Sequence, residues 1–414
     1  MSSDSTVSSA PSNAIALKPP RRAVLRSLGP TLITAAVVIG PGTITVASKL
    51  GASQGYDLLW VIVVSAVFMW AFVTMAVRVA IVNEQSLLSV LARLYGRWLA
   101  VLVGVLAFTV VTAFQLSNYL ACATALTALS GISENTWIAI VGTAGLFFLL
   151  LRQLYRAAEK VMSALVFAMV AAFAVNMFVS RPDWSAVAAG VIPGRWPGEL
   201  TSLVVAMVAT TFSVIAAFYQ GALARQKGWG VQDLPLSRRE AGLGLGLLAT
   251  ISCVILITAG TVLRGTEVSN AAALAGQFEP VMGPIAVWMF SLGFLAAAFS
   301  SVVINPMVGG GLLSYGLGLG DGVNDKWPRV LTGVAMVAGI VLAYVTLRSG
   351  TALEGIVLAQ QSTVLAVPLC AIMLMILAND RRAVGAHRNG WGTNTIASLA
   401  ILVLLILSVF RLLG

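Results

Sequence analysis

The stretch Ala35-Ala36-Val37-Val38-Ile39-Gly40-Pro41-Gly42-Thr43-Ile44-Thr45-Val46-Ala47 decides the fold. It lies inside an apolar run over residues 29–50, about the ~20 residues that carry a helix across a bilayer core. Its centre is unsuited to a continuous helix. Proline at 41 removes a backbone donor and its ring clashes one turn back, while Gly40 and Gly42 make local unwinding cheap. The run therefore predicts a spanning helix broken in its middle.

Working outward, comparable apolar runs recur along nearly the whole chain, over residues 29–50, 56–80, 99–122, 136–151, 159–180, 200–224, 241–263, 282–313, 328–346, 351–378 and 392–413. They predict an all-α polytopic membrane protein with about 11 transmembrane helices. Composition agrees: 59% of the 414 residues are apolar and 10% charged, with a mean hydropathy of +0.95. A soluble domain carries roughly 25% charged residues. The ten-residue alternating segments of a β-barrel are missing from the sequence.

The net charge of +10 invites a nucleic-acid reading, but its placement argues against one. With the N-terminus inside, 19 of the 25 Lys and Arg residues fall on the inner side of the predicted spans. That bias sets topology, with N-terminus cytoplasmic and C-terminus outside in the inner (cytoplasmic) membrane. Residues 1–24 read as a disordered cytoplasmic tail and 25–414 as a single integral domain, since every predicted loop is short. The residues 181–199 between spans 5 and 6 form the longest loop, with Pro182, Pro193, Gly194, Trp196 and Pro197 giving it an ordered-turn composition. Cys122, Cys253 and Cys370 are scattered singly in spans, which opposes a disulfide framework or a Cys metal site. His387 reads as a solvated loop residue, and no signal peptide is evident.

Span 6 is interrupted more weakly, by Thr210, Thr211, Ser213, Gln220 and Gly221 without a proline. If spans 1–5 and 6–10 are two halves, spans 1 and 6 correspond. Paired broken helices in an inverted 5+5 repeat point to a transporter site at the midplane. Gly242, Gly244 and Gly246 predict close helix packing, and Gly309, Gly310 and Gly311 packing or a bend. Neither cluster has the strand or the Lys-Ser/Thr partner of a phosphate loop. With no nucleophile set, no paired intramembrane carboxylates and no metal-ligand cluster, the sequence reads as neither an enzyme nor a cofactor protein.

Gly29-Pro30, Gly40-Pro41-Gly42-Thr43 and the run Gly51-Ala52-Ser53-Gln54-Gly55-Tyr56-Asp57-Leu58-Leu59-Trp60 resemble the NRAMP family of proton-coupled divalent-metal transporters. The likeness continues through Arg78, Ile81-Val82 and Tyr95-Gly96-Arg97, then Glu279-Pro280, Gly283-Pro284, Ser300-Ser301, Ala359-Gln360 and Pro368. The resemblance implies an amino-acid-transporter-like fold with spans 1 and 6 unwound at the substrate.

The family's ligands do not carry over with it. Its Asp-Pro-Gly-Asn stands here as Gly40-Pro41-Gly42-Thr43, and its span 6 Met falls on Ser213. A family His falls on Gln220, and the acidic pair of span 3 falls on Gln115 and Asn118. Titratable groups have become neutral hydrogen-bonding ones. A dehydrated dication wants anionic or strongly donating ligands, and stripping one of water without them is costly.

Helix N-termini at the breaks, joined by Thr43, Ser213, Gln220, Gln115, Asn118 and Gln360, better suit a small organic carboxylate or other polar solute. The expected function is thus an ion-coupled secondary transporter of such a solute, with proton or sodium as the coupling ion. The alternative keeps the family's divalent metal cation, partly hydrated and held by carbonyls and hydroxyls.

Overall fold

The computed structural model describes residues 39–150, 152–193, 202–320 and 325–413. The expected N-terminal tail, the first half of span 1, Gly29-Pro30 and the end of the loop between spans 5 and 6 lie outside them. Among the described residues the chain is helical throughout, without strands.

Nine helical segments are long and apolar enough to cross a bilayer: Leu59–Asn83, Arg97–Ser130, Glu159–Val179, Ser202–Gln226, Val231–Val262, Ala271–Leu317, Lys326–Leu347, Ala352–Asn379 and Trp391–Leu413. The shorter apolar helix Glu134–Leu149 is span 4, and Pro41–Gln54 is the second half of span 1. These account for the eleven predicted spans.

Some boundaries move for local reasons. Span 3, expected to end near 122, continues to Ser130, where Gly131 at φ 71° closes the helix with a bond from its N–H to Thr127 O. Nothing before Gly131 breaks the helix. Residues 87–95, expected as loop, form a helix on the face carrying Arg78, Arg93 and Arg97, hereafter the basic face. Ser86 starts it by accepting from Ser89 N at 3.1 Å, and Leu87, Leu88, Val90 and Leu91 bury one side. The outer loop carries its own short helix, Trp184–Gly190, capped by Asp183.

Glycine sets the tightest helix pairs. A Cβ on Gly316 of span 8 would lie 2.6 Å from Ala100 O of span 3, and one on Gly310 would lie 2.6 Å from Thr332 N of span 9. The glycines at 309–311 therefore serve packing, as expected. Gly244 and Gly246 do not, because an added Cβ would meet nothing within 4 Å. Half-helix 41–54 lies against span 7, where a Cβ on Gly51 would sit 2.9 Å from Ala259 Cβ. Tyr56 Oη and Thr261 Oγ1, 2.8 Å apart, and a bond from Gly265 N to Ala52 O of 2.9 Å hold that contact.

Candidate functional site

The two interruptions are built from different chemistry. In span 1 the helix restarts at Pro41, with Gly40 extended at φ −79° and ψ 162° as its N-cap. Thr43 N and Ile44 N both donate to Gly40 O, at 3.1 and 3.4 Å. Pro41 has no N–H, so Gly42 N–H is left without an acceptor among the described residues.

Span 6 stops at Thr211 and restarts at Val214. Ser213 is extended, and its Oγ accepts from Ala216 N at 3.4 Å as the N-cap of the second half. Phe212, fully buried, pins the break by packing at a tilt against Phe72 and Phe68 of span 2, with centroids 5.1 and 5.9 Å away.

The breaks meet. Thr43 Oγ1 lies 2.8 Å from Thr210 Oγ1, joining the start of one half-helix to the end of the other. Beside them, Thr211 Oγ1 is buried with no partner among the described residues. Gln360 of span 10 closes the group. Its amide lies across Gly42, where a Cβ would fall 2.5 Å from Gln360 Cδ, and its Nε2 donates to Ser117 Oγ of span 3 at 3.3 Å.

Just beyond Gln360, span 10 is itself interrupted between Thr363 and Val367, with Pro368 opening the next helix and Ser408 of span 11 donating to Val364 O at 2.9 Å. Four spans thus bring hydroxyls, an amide and open helix ends to one place. The charged side chains on Pro41–Gln54, Arg97–Ser130, Ser202–Gln226 and Ala352–Asn379 are Lys49, Arg97, Arg225 and Glu354; the last three stand near segment ends, and Lys49 is about two turns past the start of its half-helix. No group of three or more His, Cys, Asp or Glu suited to a metal ion occurs among the described residues.

The sequence-predicted residues divide. Gly40, Pro41, Gly42, Thr43, Ser213 and Gln360 line the breaks or face them. Gln115 turns to spans 8 and 9, donating from Nε2 to Val302 O at 2.9 Å with its Cγ against Gly339. Asn118 donates to Gln115 Oε1 at 3.3 Å. Gln220 is half-buried two turns past Ser213, roughly 10 Å along the helix axis, and is not joined to the Thr43–Thr210 pair.

Sequence reasoning missed Ser117 and Phe212 and left Thr210 and Thr211 off the site. Ser117 lies two positions from Gln115 and about 200° around the helix, so the two face different neighbours, but the sequence does not say which of them faces the breaks.

A profile of the family described as natural resistance-associated macrophage protein-like matches residues 31–414. The divalent metal cation transporter MntH of Deinococcus radiodurans is 25% identical over 380 residues, spanning 88% of this chain and 84% of that protein. The crystal structure of the Eremococcus coleocola manganese transporter superposes with a TM-score of 0.78 at 18% identity, covering 95% of this chain and 88% of that one. At the level of fold alone, MhsT in complex with L-phenylalanine superposes with a TM-score of 0.57 at 14% identity, over 91% of this chain and 98% of that one. The first two of these proteins are named for divalent metal cations and for manganese.

Proposed function

This chain belongs to the natural resistance-associated macrophage protein (Nramp) family of secondary transporters, and we propose that it carries a divalent metal cation through the cleft between its broken spans. The observation that carries the reading is the meeting of the two breaks at Thr43 and Thr210, at the level where such folds hold substrate. The cation keeps part of its water. Thr43, Thr210, Thr211 and Gln360 offer neutral oxygens, and the carbonyl end of Ser202–Thr211 adds its negative dipole end. Cations of the magnesium type dehydrate reluctantly and keep several waters, so hydroxyl, amide and carbonyl oxygens can meet them through that water shell. Affinity is accordingly weak, on the order of millimolar for manganese, the low end for oxygen-ligand sites.

The basic face is cytoplasmic in this reading, with the N-terminus inside, because Lys and Arg accumulate there. Transport draws on an ion gradient or on the substrate's own gradient.

A specific observation favours a second reading. The breaks present two half-helix N-termini, at Pro41 and Val214, and no charged side chain, a set that suits a small carboxylate or polar solute. Purified protein in vesicles with an entrapped metal-sensitive dye separates the two. Uptake of manganese or magnesium down a gradient supports the cation reading. Uptake of labelled small carboxylates or amino-acid derivatives, with the dye silent towards both metals, overturns it in favour of the second.

A further inference from the structure

On the face opposite the basic one, polar groups from three parts of the chain form a buried series. Gln277, in the short turn Gly276–Phe278 between spans 7 and 8, donates from Nε2 to Ser48 Oγ and to Leu274 O, both at 2.9 Å. Asn176, near the end of span 5, donates from Nδ2 to the main-chain carbonyl of Gln277. Ser48 and Thr45 stand one turn apart on half-helix 41–54. All four residues are 0% exposed.

These bonds fix which way both amides point. The carbonyls of Leu274 and Gln277 can only accept, so the NH2 ends must face them. Gln277 Oε1 and Asn176 Oδ1 are thereby turned away, and neither has a partner among the described residues. Thr45 Oγ1 is also buried and unpartnered. Buried acceptors are almost always met by something, and among the described residues no donor is bonded to these oxygens. The missing group must offer positive charge or hydrogens to neutral oxygens. Without a carboxylate, that donor set is too weak to strip water from a dication but adequate for a monovalent cation.

We propose that Thr45, Ser48, Asn176 and Gln277 hold a monovalent cation of the sodium class, which ties half-helix 41–54 to the 271–278 connection and to span 5. The half-helix also carries Thr43 at the breaks, so occupancy of this site favours the packed arrangement of its face and is linked to events at the cleft. By reciprocity, whatever loosens the half-helix weakens cation binding. The binding itself does not depend on which substrate crosses.

The test is thermal unfolding of the purified full chain, exchanging sodium chloride for choline chloride at constant ionic strength over roughly 1 to 300 mM, where ligand linkage is readable. A saturable rise of the midpoint in sodium, absent in choline, is expected. Gln277→Glu adds a carboxylate and should lower the half-saturating sodium concentration about 10-fold, since charge count tunes such sites. A merely structural Gln277 would not produce that shift. Asn176→Leu should abolish the sodium response. Coincident sodium and choline curves for the unmodified chain overturn the proposal and leave a buried water in the site. A sodium response that survives in Asn176→Leu overturns it equally, because the cation then binds elsewhere. Should a variant fail to fold, the unmodified chain in sodium against choline still decides.

Discussion

The meeting point of the two breaks and the basic face use polar chemistry in opposite ways. At the breaks every polar partner is neutral: Thr43 with Thr210, and Gln360 with Ser117. On the basic face charge is the working material. Arg382 grips Asp380 with Nη2 at 2.8 Å from Oδ2, Tyr95 Oη donates to the same oxygen at 2.6 Å, and the Arg382 guanidinium lies 5.3 Å over the Tyr95 ring. Arg78 donates to Asn389 Oδ1 at 2.8 Å and to His387 O at 3.2 Å, so the one histidine contributes its main chain. Charge is expensive in the middle of a bilayer and cheap at its edge. The difference teaches that the breaks are furnished with neutral hydrogen-bonding groups and helix ends, while the ionic chemistry sits where water can serve it.

Putting charge back at the centre is the most direct way to break that contrast, and it carries the largest expected effect. Gly40→Asp combined with Thr43→Asn and Ser213→Met supplies the carboxylate, amide and thioether that the family resemblance expects. Manganese affinity by calorimetry should rise on the order of 100-fold as anionic and soft donors join the neutral set. The cost is the Ser213 cap, about 1 kcal/mol of stability. A folded triple variant with unchanged manganese affinity would mean that these three positions do not converge on one ion.

A smaller effect should follow from removing one neutral donor. Gln360→Leu keeps most of the side-chain volume while deleting the amide that spans Gly42 and Ser117. Losing one hydrogen bond to a charged substrate costs about 1.5–3 kcal/mol, roughly 10- to 150-fold in affinity. Transport into vesicles should fall by that order while the unfolding midpoint stays close to that of the unmodified chain. Normal transport by a well-folded Gln360→Leu protein would remove Gln360 from the substrate path.

Gln115 sharpens the contrast from the other side, since it is equally buried and equally polar yet faces spans 8 and 9. Gln115→Leu leaves Val302 O without its donor and Asn118 Nδ2 without its acceptor. Interhelical hydrogen bonds in membranes average about 0.6 kcal/mol and reach ~1.7, so stability should fall by about 1 kcal/mol. Transport per folded molecule should hold. A large transport loss with unchanged stability would place Gln115 in the substrate path after all.

Those two glutamines show what the sequence could and could not convey. Apolar runs and the Gly40-Pro41-Gly42 signature specify spans and a break, because bilayer thickness and proline sterics act locally. Which way a polar side chain faces within a span is decided by its neighbours. Gln115 and Ser117 differ by two positions and point to different helices, a fact that no hydropathy pattern carries. The span 6 break lacks proline, and its anchor, Phe212, reads as one more apolar residue until Phe68 and Phe72 are placed beside it. The interruption of span 10 was half legible: Pro368 marks a helix start, but only the Ser408 bond to Val364 O shows that the preceding turn is held open.

The smallest effect belongs to the basic face and concerns pH. Asp380 is held well below the usual carboxylate range, first by its bonds from Arg382 and then by the Tyr95 hydroxyl. Because the folded value lies below the unfolded one, near 3.9, the contribution is present above about pH 4 and is lost as pH falls through the folded value. From pH 8 to about 5 this cluster should therefore leave the unfolding midpoint flat, and only strong acidification should erode it. Asp380→Asn should lower the midpoint slightly at neutral pH, since exposed pairs contribute little, and the two proteins should converge in acid. Transport near the pKa of His, roughly 6.5, should be indifferent to this substitution, because the cluster does not titrate there. Midpoints that diverge further on acidification would assign the stabilising role to the protonated carboxyl, the reverse of the bonding seen here.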